Sequence, residues 1–279
     1  MIILKNQDAI RSKLKDKKIL ALVPTMGNLH DGHISLIKHA KKHADSIIVS
    51  IFVNPIQFNS PDDLKNYPRS IEKDINILKK HGVDILFNPS EKDIYPTKPY
   101  LAYELPPLAS QLCGSKRPGH FKGVIIIIEK LFELIRPDHV FFGKKDYQQL
   151  MLIKQFIFDR KYKITFHSIE TVREKDSLAL SSRNSLLSKE ARLIAPTLYN
   201  TLKNAIIELQ KNSDIKKIEL SAQKNLTDLG WVVDYVEIRR QKDLLKPIDS
   251  DKKLVILGAA YYENVRLIDN IEFCTDDSK

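Results

Sequence analysis

Three short apolar runs separated by stretches of helical spacing limit what this chain can fold into more than any other feature. Residues 19–23 are a continuous apolar run of the kind found in strands covered on both faces, and the largely apolar residues 46–53 and 83–87 read as a second buried strand and a third strand. Between them, residues 34–44 have helical spacing with lysines outward. Residues 64–81 set Leu64, Ile71, Ile75 and Leu78 on one helical face, with Gly82 where a helix commonly ends. Strand, helix, strand, helix, strand predicts parallel βαβ units and an open α/β sheet, whose ligands sit beyond the carboxyl ends of the strands. Residues 25–33, 54–58 and 88–89 then share one rim.

The theme repeats downstream, with helices expected at 123–136 and 146–160 and strands at 138–142 and 164–172. After about residue 173 the texture changes. Helical patterns at 189–209 and 215–229 are followed by short alternating strands at 231–239, 254–262 and 264–268, which suits a small antiparallel sheet with helices on one face. A chain of 279 residues exceeds the usual single-domain size. The expectation is an open, Rossmann-like parallel sheet over residues 1–174 and a smaller C-terminal α+β domain over 175–279, with a hinge near 173–177.

The formal net charge of +10 attracts anions, whether nucleic acid, membrane surface or small phosphorylated or carboxylated substrates. The lysines are dispersed (Lys13, Lys15, Lys17, Lys18, Lys79, Lys80, Lys216, Lys217, Lys252, Lys253), so a solvated surface is favoured over a dedicated polyanion face. Cys113 and Cys274 provide neither a disulfide framework nor metal-ligand spacing. The N-terminus lacks the apolar core of a signal peptide, and the apolar run at 124–128 is far too short to span a bilayer. A reduced, cytoplasmic setting without membrane or nucleic-acid partners is expected.

The candidate chemistry centres on Pro24-Thr25-Met26-Gly27-Asn28-Leu29-His30-Asp31-Gly32-His33, directly after the first apolar run. A strand, a glycine turn and a helix opening at Asp31 place two imidazoles and unpaired backbone N–H groups at one point, an anion site suited to phosphate. The bland alternative is two surface histidines beside an ordinary cap. A zinc site would need further ligands. Gly143-Lys144-Lys145-Asp146-Tyr147-Gln148-Gln149 repeats the design, with a point charge for phosphate ahead of a helix, or else a lysine pair on a solvated turn. Ser181-Ser182-Arg183 offers two hydroxyls and a guanidinium able to clamp phosphate oxygens. A serine hydrolase is disfavoured, because no Gly-x-Ser-x-Gly elbow is present. Gln57 and Gln149 can read a hydroxyl or carboxylate. Residues 117–121 read as a mobile charged loop in which His120 could equally be a structural turn residue. Asp62, Asp63 and Asp74 are either Mg²⁺ ligands or, more commonly for such residues, surface charge.

Five blocks, taken together and in order, resemble the pantothenate synthetase family over nearly the whole chain. They are residues 24–33, Phe52-Val53-Asn54-Pro55-Ile56-Gln57-Phe58, Arg117-Pro118-Gly119-His120-Phe121-Lys122-Gly123-Val124, residues 142–150, and Thr171-Val172-Arg173-Glu174 continuing to Ser181-Ser182-Arg183-Asn184. The resemblance implies an ATP-dependent ligation in which (R)-pantoate attacks the α-phosphate of ATP. Pantoyl adenylate forms, and β-alanine displaces AMP.

It further implies that Met26, Gly27, Asn28, Leu29, His30, Asp31, Gly32 and His33 form an ATP-binding turn, with His33 as proton or hydrogen-bond donor and His30 on the phosphates. Gln57 and Gln149 would bind pantoate, Gln57 also meeting β-alanine. Gly143, Lys144, Lys145 and Asp146 would hold nucleotide, with Lys145 on phosphate and Asp146 on ribose. Val172 would contact adenine through its backbone, and Leu180, Ser181, Ser182 and Arg183 would close over the phosphates as part of a lid. His33, His30, Lys145 and Arg183 are thus the implied catalytic group. Mg²⁺ would accompany ATP with no protein ligand fixed by the sequence, and a homodimer through the larger domain is implied. Lys144, Ser177 and Leu180 depart from the family's usual glutamate, glycine and methionine. The competing readings are a nucleotidyltransferase or aminoacyl-tRNA-synthetase-like adenylating protein, and a basic nucleic-acid-binding protein acting through its lysines alone.

Overall fold

The computed structural model describes residues 1–14, 19–211 and 214–275, so Lys15, Lys17 and Lys18 lie outside the described residues. The described residues of 1–144 and 149–172 form one compact unit, and those of 145–148 and 173–275 form another.

The larger unit runs β1 (Ile2–Leu4), α1 (Gln7–Lys13), β2 (Leu20–Thr25), α2 (Asp31–Ala40), β3 (Ser46–Ile51), α3 (Pro61–Asn66), α4 (Ile71–Lys80), β4 (Ile85–Phe87), α5 (Glu91–Ile94), α6 (Cys113–Lys116), α7 (His120–Ile135), β5 (His139–Gly143), α8 (Tyr147–Asp159) and β6 (Thr165–Ile169). Its six strands are all parallel, in the order β1-β4-β3-β2-β5-β6. The apolar runs are continuous because alternate residues enter two separate cores. Leu22, Ile48, Val140 and Phe142 pack with Val124, Ile128 and Ile153 from α7 and α8. Ala21, Val23, Ile47, Val49 and Phe141 pack with Leu36, Ile37 and Leu78 from α2 and α4. The sheet reverses its winding between β2 and β5, and in open α/β folds that switch point is where a crevice opens at the carboxyl ends.

Several boundaries differ from the periodicity reading. The helix expected over 64–81 is two helices, because Pro68 holds Tyr67 extended at ψ 125° and breaks the run. Ile71 is consequently exposed, and the buried positions of α4 are Asp74 and Leu78. The α2 helix ends at Ala40 rather than 44, and β6 ends at Ile169 rather than 172. Residues 117–121 are not a free loop, since α7 starts at His120, which is buried.

In the smaller unit the pattern at 189–209 is split by Pro196 into α9 (Lys189–Ile194) and α10 (Thr197–Leu209), followed by α11 (Ile215–Asp228). Strands β7 (Val232–Arg240), β8 (Lys253–Tyr262) and β9 (Val265–Cys274) form an antiparallel sheet in that order. The last strand is twice as long as its alternating stretch at 264–268 suggested. Leu198, Leu202 and Ala205 of α10 join Trp231, Val236 and Ile256 in the core, and the indole Nε1 of Trp231 donates to Thr197 Oγ1 at 3.0 Å.

Candidate active site

The turn after β2 is closed on itself. Thr25 Oγ1 donates to the Ser50 carbonyl at 2.9 Å and accepts from the Gly27 amide at 3.2 Å. Gly27 has φ +83°, and a Cβ there would sit 3.0 Å from both Asp74 Oδ2 and Ile51 Cγ2, so glycine is required on two counts. The amides of Asn28 and Leu29 each donate to the Asp74 carboxylate at 2.8 Å, and Ser70 Oγ adds a third hydrogen bond at 3.2 Å. Asp74, 1% exposed, is therefore an internal anchor rather than surface charge or a metal ligand.

This corrects the expectation of unpaired amides. The His30 N–H donates to His33 Nδ1 at 3.3 Å, and the Gly32 N–H donates to His30 Nδ1 at 3.2 Å. Two imidazoles thus perform the reciprocal capping usually made by Ser and Glu, with α2 opening at Asp31 as expected. Because each Nδ1 accepts, each neutral ring carries its proton on Nε2. The ring centroids are 4.2 Å apart. The turn therefore combines amides held by side-chain acceptors with two imidazole rings that cap the helix start.

Gln57 is buried and held from several sides. Asn54, fully buried, donates from Nδ2 to Gln57 Oε1 and to the Gly123 carbonyl, both at 3.0 Å, while its Oδ1 accepts from Tyr95 Oη at 3.0 Å. Burial, reinforced by Glu91, pushes the Tyr95 phenol above its ordinary range and keeps it a donor. Gln57 Nε2 lies 3.2 Å from Met26 Sδ, joining the two rim segments. The Gln57 carbonyl sits 2.7 Å from His120 Nδ1, which must then be protonated, leaving Nε2 to accept from Arg117 Nη1 at 3.1 Å. A Cβ on Gly123 would lie 2.4 Å from the Ile56 carbonyl oxygen, so α7 can approach this segment only through glycine. Asn54, Arg117, His120 and Asp74 were not assigned these roles from sequence. The available signal for Asp74 was its place four residues before Leu78, an acid on the buried stripe of α4.

Of the remaining predicted residues in this unit, Gly143 ends β5 where a Cβ would meet nothing within 4 Å. Lys144 pairs through Nζ with Glu170. Gln149 is half-buried in the first turn of α8, and Val172 is half-buried beyond β6. The smaller unit holds the others. Lys145 Nζ is 3.7 Å from Asp146 Oδ2. Ser181 Oγ accepts from the Arg183 amide at 3.2 Å, Ser182 is buried, and Leu180 and Arg183 are half-buried. Ser177 has φ +76° in the turn between the bridged residues Arg173 and Ala179, a backbone state that favours glycine. Among the described residues no group of three or more His, Cys, Asp or Glu side chains is placed to hold a metal ion. Among the same residues no helix is long and apolar enough to cross a membrane.

An open parallel sheet of this order, with the turn after β2 and the Gln57 segment at its switch point, defines a protein of the α/β class, in which ligands sit at the carboxyl ends of the strands. The sequence profile of the pantoate-beta-alanine ligase family matches residues 3–272. The chain is 46% identical over 266 residues to the pantothenate synthetase of Methylobacillus flagellatus, covering 95% of this chain and 96% of the relative. It is 47% identical over 265 residues to that of Neisseria meningitidis serogroup B, covering 94% and 95%. Among solved structures, pantothenate synthetase from Thermus thermophilus aligns with a TM-score of 0.89 at 34% identity, covering 97% of this chain and 99% of that one. Pantoate-beta-alanine ligase from Francisella tularensis, complexed with beta-gamma ATP and beta-alanine, aligns with a TM-score of 0.81 at 38% identity, covering 97% of each chain. The chain belongs to the pantoate–β-alanine ligase family, and it is a ligase that forms a carbon–nitrogen bond.

Proposed function

We propose that this chain condenses (R)-pantoate with β-alanine through pantoyl adenylate. The observation that supports it is a turn capped by two imidazoles, joined through Met26 Sδ to a glutamine that Asn54 holds in place. In the first step a pantoate carboxylate oxygen attacks the α-phosphorus of ATP and pyrophosphate leaves. In the second the neutral amine of β-alanine attacks the acyl carbon, AMP leaves with the bridging oxygen, and the amine proton passes to solvent. Neither step needs a covalent enzyme intermediate, which agrees with a site built from donors.

In this reading residues 26–33 cradle ATP, with His33 and His30 donating from Nε2 to phosphate oxygens as charge develops on the leaving group. Gln57 and Gln149 orient pantoate, and Gln57 also meets β-alanine. Gly143 and Lys144 border the nucleotide, Val172 presents backbone to adenine, and Asp146 takes the ribose. Lys145 and residues 180–183, with Arg183 as second cation, neutralise the phosphates. Residues 1–174 bind ATP and pantoate, and residues 175–279 act as the lid. Mg²⁺ bound together with ATP would withdraw charge from the phosphate oxygens. We assign the protein to the cytoplasm as a homodimer, with small molecules rather than nucleic acid as its other partners.

The test uses pantoate labelled with ¹⁸O in its carboxylate. One label should appear in AMP, and AMP formation should require pantoate. ADP as the nucleotide product, or unlabelled AMP, would replace the adenylate route with another.

A further inference from the structure

Residues 145–148 lie between β5 and the body of α8, two elements of the larger unit, yet they cluster with the smaller one. The reason is β9. Asn270 Nδ2 donates to the Lys145 carbonyl at 2.9 Å, and Glu272 Oε1 accepts from Tyr147 Oη at 2.7 Å. Asn270 is 6% exposed and is braced in turn. Its amide donates to Asp269 Oδ1 at 2.8 Å, and Arg173 grips Asp269 with two hydrogen bonds of 2.7 and 2.8 Å while reaching the Asn270 carbonyl at 3.3 Å. Arg173 lies 3.9 Å over the Tyr199 ring. The 3-10 turn Ser182–Leu186 packs against the same strand. One strand of the smaller unit therefore supports both segments whose side chains are assigned to the phosphates.

We propose that Asn270 is a positioning residue for Lys145, fixing its backbone so that the ammonium and the 181–183 segment move as parts of one body. The inference rests on the reading of Lys145 as a phosphate-binding cation. Asp269 and Arg173 hold the Asn270 backbone from which the side chain reaches out, and the Tyr147–Glu272 bond secures the segment two residues further on. An amide is suited to this place because it can donate to the carbonyl without placing a second negative charge beside Asp269.

The test is a double-mutant cycle on the full chain, following kcat and KM for ATP. Asn270→Asp keeps the shape but cannot donate to the carbonyl. Tyr147→Phe releases the same segment without altering β9, so a folding defect in the first variant leaves the second as an equal test. Each should lower kcat/KM for ATP by about tenfold, the worth of one well-made hydrogen bond. In a Lys145→Ala background the same substitutions should change it by no more than about twofold. Equal losses in both backgrounds would mean that β9 serves stability alone, and wild-type kinetics in both variants would remove the role outright. Normal turnover by Lys145→Ala, or no pantothenate from the wild-type chain, would instead overturn the reading of Lys145 or of the reaction on which the inference rests.

Discussion

Asp74→Asn isolates the idea that the turn after β2, proposed to bind ATP, is held from below by a buried carboxylate. The carboxylate accepts two backbone amides at 2.8 Å and one hydroxyl at 3.2 Å in a position 1% exposed. An amide side chain can keep one backbone partner, but its NH₂ then faces the other N–H, stranding a donor among buried atoms. A stranded buried donor costs roughly 1–3 kcal/mol, and a lost charge-assisted bond falls in the same range, so about 2–3 kcal/mol is expected. Asp74→Ala strands both amides and the Ser70 hydroxyl, giving about 3–5 kcal/mol. Urea unfolding measures the loss, and hydrogen exchange localises it to the amides of Asn28 and Leu29, with KM for ATP rising about tenfold or more. An Asp74→Asn protein within about 0.5 kcal/mol of wild type, with unchanged protection at those amides, would refute the anchoring argument. Rescue of activity by excess Mg²⁺ would do so as well, by making Asp74 a metal ligand.

Gly123→Ala should cost activity more than tenfold and stability by about 1–3 kcal/mol, because its Cβ would press on Ile56 and on the Gln57 backbone 2.7 Å away; steady-state kinetics and thermal melts check both. Ser177→Gly should stabilise the chain by about 0.5–1 kcal/mol in urea, relieving a φ of +76° that a side chain tolerates poorly; unchanged or lower stability would show that the turn carries no such strain. Outside the candidate site, His139 Nδ1 and His167 Nε2 are 3.0 Å apart, and the His43 and His167 rings lie with centroids 4.6 Å apart. Burial, then the charges of His43 and His139, hold His167 below the ordinary imidazole value. The unfolded chain therefore binds the proton more readily, so stability is fully present above about pH 6.5 and declines as pH falls through the lower folded value. His167→Gln should flatten that decline in denaturant titrations at pH 7.5 and 5.5, and an unaltered slope would assign it to other groups.

What the sequence made legible was what depends on local pattern. Alternation into two cores makes a doubly covered strand read as an uninterrupted apolar run, so β2, β3 and β4 and their parallel arrangement could be inferred from residues alone. Two prolines, Pro68 and Pro196, each broke a helix that periodicity had joined, and both breaks were readable from proline chemistry. Register and long-range partners were not readable. Asn54 reaches Gly123 across 69 positions and Asn270 reaches Lys145 across 125, and nothing in the spacing of either asparagine specifies its acceptor.

The pairing of amides in the turn after β2 differs from the expectation for a physical reason that applies beyond this chain. A glycine turn entering a helix suggests an anion nest because the first amides of a helix lack intrahelical partners. Here the turn ahead of the helix and the helix's second amide have partners, since Thr25, Asp74, His30 and His33 supply acceptors for the amides of Gly27, Asn28, Leu29, Gly32 and His30. Each acceptor has a second effect. Asp74 adds a buried negative charge beneath a turn assigned to ATP, which works against backbone-only recognition of phosphate. The two histidines give up Nδ1 as an acceptor and thereby fix the proton on Nε2. In the proposed function, recognition of phosphate then includes groups that can change protonation. That exchange gives a physical reason for histidine at both ends of a capping pair where serine and glutamate would have capped the helix equally well.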